Sequence, residues 1–364
     1  MKHIPILSFF SGGGFLDIGF EKAGFNVVWT NEINPDFAEL YRHGMSSWRK
    51  SRGGSLIEIS EIGSIKRVDG EQIRNKVLCG KKQMFGVIGG PPCPDFSVGG
   101  KQKGKTGDHG QLSWVYAKKI CEIEPSFFVF ENVPGLYRTK IHREFLLEIE
   151  HEFEEADYNI DIRILNALEC GCPQDRERLF VVGVKRGIVR KQLGRMVPRE
   201  ERGWFPWHKL KFPDAKKKYK WPDTNLFGAK PLKPENIPYE LMIDSIFGSK
   251  NPPQEIVNGQ EAFKAYSKKF FSILEGDTSR KSFKRLHRYR FSPTACYGNN
   301  EVHLHPWEKR RLSVREALRI QGVPDEYVLP EDFSLTKKFK LIGNGVPVPL
   351  AYEVATSLRM FLKM

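Results

Sequence analysis

A chain of 364 residues, 40% of them hydrophobic, can bury one large α/β core and a smaller second one. No apolar run reaches the roughly 18 residues of a membrane span, and six cysteines dispersed over such a length fit reduced thiols better than a disulfide framework. The net charge of +14 is concentrated: residues 1–185 hold 24 Lys and Arg against 25 Asp and Glu, 186–300 hold 24 against 11, and 301–364 hold 10 against 8.

Ile4–Phe9 is an apolar, β-leaning run that breaks at Ser11-Gly12-Gly13-Gly14, and an amphipathic stretch with Phe15, Ile18 and Ala23 follows. Strand, glycine turn and helix in that order open a nucleotide-binding α/β unit. Val27–Thr30 reads as a second strand ending at Asn31-Glu32. Glu32 falls about 20 residues after the glycines, where such folds place a carboxylate that accepts ribose hydroxyls. The complete G-x-G-x-x-G pattern fails, because Asp17 stands where its last glycine belongs. From Tyr41 to Lys82 the pattern is thin.

Phe85–Ile88 reads as a buried strand, stopped by Gly89-Gly90-Pro91-Pro92. Cys93 is left at its carboxyl end, where open α/β sheets hold ligands. A lone cysteine is ordinarily a small buried hydrophobe, but a filler does not need prolines on both sides. Gly99 to Gly110 holds five glycines and three lysines with no apolar side chain, the composition of a cationic lid. Leu112–Glu124 reads as a helix, and Ser126–Phe130 as a strand running into Glu131-Asn132-Val133-Pro134-Gly135. Glu131 is therefore a second catalytic candidate at a strand end. His142–Glu155 is an amphipathic helix, and Tyr158–Leu165 and Leu179–Val184 are strands bracketing Gln174-Asp175-Arg176-Glu177-Arg178. In isolation that bracketed stretch is an ordinary charged turn. Cys170-Gly171-Cys172 lacks a second pair of ligands, so no metal site is expected.

Residues 186–304 lose the α/β alternation and gain proline, aromatic residues and lysine. They read as an inserted domain, irregular or β-rich, between 1–185 and a return to the first domain over 305–364. Its positive excess is interleaved with Trp204, Phe205, Trp207, Phe212, Tyr219 and Trp221, which fits a polyanion-binding module. Arg311–Gly322 is helical, with Ser313 and Glu316 spaced as a capping box. Gly343-Asn344-Gly345-Val346-Pro347-Val348-Pro349-Leu350-Ala351 then leads into an apolar helix.

Together these blocks resemble the DNA cytosine-5 methyltransferases of bacterial restriction–modification systems, over residues 4–184 and 309–360. Phe10–Glu21 is similar to that family's S-adenosylmethionine loop, Pro92-Cys93 to its nucleophile motif, and Glu131-Asn132-Val133 to its catalytic acid; Gln174-x-Arg176-x-Arg178 resembles a motif in which Arg178 would hold the target base's carbonyl oxygen while Arg176 supports the site. Two positions depart. Phe15 stands where the family has glycine, and either narrows the pocket floor or turns outward. Ser64 replaces the acid of an Asp-Ile pair that touches adenine, leaving that contact to the backbone of Ile65.

The resemblance implies a Rossmann-like methyltransferase sheet with an inserted target-recognition domain, and S-adenosyl-L-methionine as cofactor, leaving as S-adenosyl-L-homocysteine. It assigns catalysis to Cys93, Glu131, Arg176 and Arg178. Cofactor contacts fall on Phe10, Ser11, Gly12, Gly14, Phe15, Leu16, Glu32, Ile33, Ser64, Ile65, Pro92, Leu112, Asn344 and Val346. DNA contacts are expected at Ser97, Lys101, Lys103, Lys216, Lys217 and Lys218. The substrate is double-stranded DNA with its target cytosine flipped out. The protein is expected to be a cytoplasmic, nucleoid-associated monomer paired functionally with a restriction endonuclease. Alternatives are an RNA cytosine-5 methyltransferase, a non-catalytic DNA-binding relative and a nicotinamide oxidoreductase.

Overall fold

Apolar runs such as Phe127-Phe128-Val129-Phe130 can be satisfied only by a sheet covered on both faces, and the sheet is built that way. The computed structural model describes residues 4–78, 83–92, 108–247, 251–264, 268–280, 282–297 and 302–363. Seven strands run β1 (Pro5–Phe9), β2 (Asn26–Glu32), β3 (Glu61–Ile62), β4 (Gly86–Gly89), β5 (Phe127–Asn132), β6 (Tyr158–Asn166) and β7 (Glu177–Lys185). Their spatial order is β3-β2-β1-β4-β5-β7-β6. All neighbours are parallel except β7, which lies antiparallel between β5 and β6.

Successive residues of a strand face opposite sides, and the two cores follow that alternation. Ile6, Ile88, Phe127 and Val182 pack with α1 (Phe15–Lys22) and α11 (Val348–Phe361). Leu7, Val87, Phe128 and Val181 pack instead with α4 (Asp108–Ile123) and α6 (Lys140–Glu155). Helices α1 and α11 come so close that a Cβ on Gly19 would lie 2.4 Å from Ala351 Cβ. A third core joins α1 to α2 (Pro35–Ser51), α9 (Val314–Ile320) and α10 (Leu335–Asn344), through Phe15, Tyr41, Leu318, Tyr327 and Ile342. Ser313 and Glu316 form the expected capping box on α9.

Between β7 and α9 regular structure is sparse among the described residues. There are α7 (Arg186–Leu193), α8 (Ala215–Lys218), several 3-10 turns and the two-residue parallel strands β8 (Lys284–Arg285) and β9 (His303–Leu304). Of the two expectations for this segment, irregular is the correct one. Its buried carbonyls need donors that a ladder would otherwise supply. Arg285 provides them to Ile273 at 2.9 Å, His305 at 2.5 Å and Glu308 at 3.1 Å, and to Phe270.

One expectation for the insert is corrected. Trp204 and Phe205 do not stand among the lysines as a polyanion surface. They are buried against the main sheet, with the Trp204 indole donating to the Ile160 carbonyl at 2.8 Å and both rings packed on Phe361. Large aromatic rings gain most where a core can close over them. Among the described residues no helix is long and apolar enough to cross a membrane.

Candidate active site

Strands β1 and β4 are neighbours, yet the chain leaves them toward opposite edges of the sheet. That reversal opens a crevice at their carboxyl ends, flanked by the loop after Phe9 and by Gly90-Pro91-Pro92.

The first wall is the glycine loop. Phe10 has φ 53°, Gly12 51° and Gly14 76°, left-handed values that favour glycine. At Gly14 a Cβ would also meet Met45 Sδ at 2.7 Å. The loop is held from both sides: Ser11 N–H donates to Asn31 O at 3.1 Å, and Tyr327 hydroxyl donates to Gly13 O at 2.8 Å. Beneath it, Asp17 accepts from Ser8 hydroxyl at 2.6 Å and Tyr41 hydroxyl at 2.8 Å. Burial pushes the Asp17 carboxyl up to about 6. Neither Asp17 nor Tyr327 carries a role in the sequence reading. The available signal was an acid in the first turn of a helix, set between apolar Leu16 and Ile18.

Glu32 closes the wall. One carboxylate oxygen accepts from Gly12 N–H and the other from Asn34 N–H, both at 2.9 Å. Burial raises its pKa, and these backbone donors oppose the rise. Each oxygen keeps a lone pair for a further donor. Asn31 amide donates to Glu61 O and Gly63 O, at 2.9 and 3.0 Å, which brings 63–65 beside the end of β2. Ser64 uses its hydroxyl to accept from Lys66 N–H, capping a 3-10 turn. Ile65 is buried and Ile33 is 65% exposed. Phe15 does not turn outward: it is 1% exposed, its ring edge-on to Tyr327 and pressed against Gly345. Leu16 and Val346 are core residues, Leu112 is half-buried, and Asn344 and Pro92 are exposed.

The second wall is ionic. On β5, Glu131 meets Arg178 of the neighbouring β7, with Nε 3.0 Å from the carboxylate. Arg178 also donates to Glu177 O at 2.7 Å. A Cβ at Gly90 would lie 2.3 Å from the other Glu131 oxygen, so the strand end leading to Cys93 runs directly over that carboxyl group. Glu131 is 7% exposed. Burial raises its pKa, outweighing the lowering by Arg178 and Arg176.

Arg176 has a different task. Its fully buried guanidinium donates to Ala295 O at 2.9 Å, Gly343 O at 2.9 Å and Gly345 O at 3.0 Å. Burial, together with Arg178, lowers its pKa to about 9. These bonds tie the turn before β7 to the end of the insert and to the Gly343–Gly345 turn. Gln174 adds to the joint by donating to Ile320 O at 3.1 Å and accepting from Ala295 N–H at 3.2 Å.

Cys93, Ser97, Lys101 and Lys103 lie outside the described residues. Lys216 pairs with Asp175 at 2.7 Å, while Lys217 and Lys218 are exposed on α8.

The C-5 cytosine-specific DNA methylase family matches residues 4–360. The chain is 42% identical to the Type II methyltransferase M.NmeDI of Neisseria meningitidis serogroup C, over all of this chain and 85% of that protein. It is 31% identical to the Type II methyltransferase M.FnuDI of Fusobacterium nucleatum, over 98% of this chain and 94% of that one. Its fold is shared with the Entamoeba histolytica methyltransferase EhMeth, at 14% identity and a TM-score of 0.60, with both chains covered completely. With a match from near its first residue to near its last, the chain belongs to the C-5 cytosine-specific DNA methylase family and is a DNA cytosine-5 methyltransferase.

Proposed function

We propose that the Glu131–Arg178 pair under Gly90 receives a flipped cytosine, that Cys93 is the nucleophile, and that S-adenosylmethionine binds between the glycine loop and Glu32. The observation that carries this reading is the second wall: a buried acid and an arginine 3.0 Å apart, beneath the strand end that leads to Cys93.

The first wall fits the cofactor. Glu32 presents both oxygens with spare lone pairs toward a loop whose glycines keep the backbone bare, which suits a ribose and its neighbouring groups. When bound, the cofactor supplies an electrophilic sulfonium methyl group. The rest is done by this chain. Carbon 5 of cytosine is a weak nucleophile until the ring is activated. The Cys93 thiolate forms a bond to carbon 6, and the electron pair it displaces moves toward ring nitrogen 3. Glu131 delivers its proton there, a task that burial prepares by favouring the protonated acid. The carboxylate left behind stays paired with Arg178, whose remaining donors can hold the base's carbonyl oxygen. Once carbon 5 has accepted the methyl group and lost its proton, the electron pair of that C–H bond re-forms the double bond to carbon 6, the thiolate leaves, and the proton on nitrogen 3 returns to the Glu131 carboxylate. Specific readout of double-stranded DNA is assigned to the insert, and functional pairing with a restriction endonuclease accompanies that reading.

Fluorine at carbon 5 cannot leave as a cation, so DNA with 5-fluorocytosine at the target should form a denaturant-resistant complex. The complex should need S-adenosylmethionine, vanish in Cys93→Ala and persist in Cys121→Ala. A band that survives in Cys93→Ala would overturn the assignment.

A further inference from the structure

A cavity of about 450 Å³ opens just beyond the segment that Arg176 fastens. Tyr297, whose backbone lies against Gly343, forms one wall; Phe339 and Thr336 of α10 form another, and Phe263 a third. The Tyr297 and Phe263 rings each stand 5.4 Å from Phe339. Arg311 reaches into this space with its guanidinium 5.0 Å over the Phe263 ring. Its backbone is fixed by a bridge to Leu304.

The guanidinium is incompletely satisfied. Among the described residues its side chain has no hydrogen-bond or ion-pair partner, and its Nε is buried. The adjacent carboxylates are taken: Arg310 binds Glu308 at 2.5 Å and Glu316 at 2.7 Å. Burial lowers the Arg311 pKa. A half-buried cation with no counter-charge among the described residues costs free energy that an anion would recover.

We propose that this cavity holds one backbone phosphodiester of the DNA substrate, with Arg311 as its anchor. The inference rests on the chain being a DNA methyltransferase and adds a contact that fixes the duplex beside the active site. The hydroxyls of Ser282 and Thr336 also line the cavity and supply further donors. Aromatic walls suit the deoxyribose next to the phosphate, and inorganic phosphate would leave them unused. Arg176 joins Ala295, in the segment that runs on to the wall residue Tyr297, to the turn before β7, so a phosphate seated here positions the duplex relative to Glu131 and Arg178.

The test measures binding of the target duplex to the full chain, without chemistry, across a salt series. Arg311→Met should weaken binding about tenfold or more and reduce the slope of log affinity against log salt by about 0.9. Arg311→Lys should restore the slope, and cofactor affinity should stay constant in both. A duplex scanned with single neutral methylphosphonate linkages supplies the decisive arm. At one linkage wild type should lose affinity while Arg311→Met loses nothing further. Should Arg311→Met fail to fold, Arg311→Lys serves in its place, expected to lose less than wild type at that linkage. Additive losses at every linkage, or an unchanged slope, would sink the proposal. Arg311-dependent stabilisation by inorganic phosphate, together with additive duplex losses, would make this a free-anion site and also overturn it. Failure of wild type to bind any duplex would instead count against the methyltransferase reading itself.

Discussion

Glu131 and Asp17 are both buried acids with raised pKa values, and their partners give them opposite uses. Glu131 faces a cation, so it can lose its proton and remain paired; Asp17 faces two hydroxyls and has no ion-pair partner among the described residues. Glu131→Gln keeps the shape but has no acid proton to deliver. Turnover should fall by roughly 10²–10⁴-fold with cofactor affinity nearly constant, as measured by single-turnover kinetics and calorimetry; equal losses in both would make Glu131 structural. In wild type, turnover should also decline as pH rises through the raised Glu131 pKa, because the protonated form is the active one. For Asp17 the linkage runs through stability. Its folded value of about 6 exceeds the ordinary aspartate value of 3.8, so the folded state holds the proton more tightly. Stability should therefore fall as pH rises from about 4 to 6 and level off above, by ~3 kcal/mol. Asp17→Asn should lose that component, which subtraction of the two melting series over this window would show.

At the scale of elements, sequence reading succeeded where one local pattern decides the outcome. The Ser313–Glu316 capping box and the apolar runs of β4 and β5 were set by spacing of a few residues, and the Glu32 carboxylate beside the glycine loop by a fixed spacing along one strand–turn–helix–strand unit. It could not show that β7 slips between β5 and β6. That choice brings Arg178 against Glu131, and it depends on pairing between distant strands. The motif resemblance gave the two arginines separate roles, Arg178 on the base and Arg176 in support, but not the groups to which Arg176 turns. Residues two apart on a strand share a face, yet Arg176 lies before the first residue of β7 and turns to Ala295, Gly343 and Gly345 instead. Arg176→Lys keeps the charge but cannot span three carbonyls with one ammonium group. DNA affinity and cofactor affinity should weaken together, because the joint holds both the end of the insert and the Gly343–Gly345 turn. Isothermal titration of each ligand would check this; loss of turnover alone, with both affinities intact, would make Arg176 a catalytic group.

At the scale of the whole molecule, the misreading of Trp204 and Phe205 has a cause in composition. Aromatic rings among lysines look alike in sequence whether they stack on a polyanion or plug a core. Here the chain from Arg186 to His208 remains on the catalytic body: Arg202 binds Glu150 and Glu154, Phe205 N–H donates to Asp161 at 3.0 Å, and His208 pairs with Glu353 at 2.6 Å. At the other end, Ser292 and Ala295 are tied to the turn before β7 by Pro173, Asp175, Gln174 and Arg176. We therefore propose that the unit free to diverge in DNA sequence preference is about 209–291, shorter at both ends than the 186–304 suggested by composition and loss of α/β alternation. Two outcomes follow. Trp204→Ala should destabilise the fold by about 3–5 kcal/mol while leaving the methylated sequence unchanged, read by melting and by bisulfite sequencing of exposed DNA. Exchange of 209–291 for the corresponding segment of a relative should give a folded enzyme with the relative's target. An active chimera that still methylates the original sequence would place recognition outside these residues. A Trp204→Ala protein that melts like wild type but no longer binds DNA would return that ring to the interface, because a core residue of its size cannot be truncated without a loss of stability.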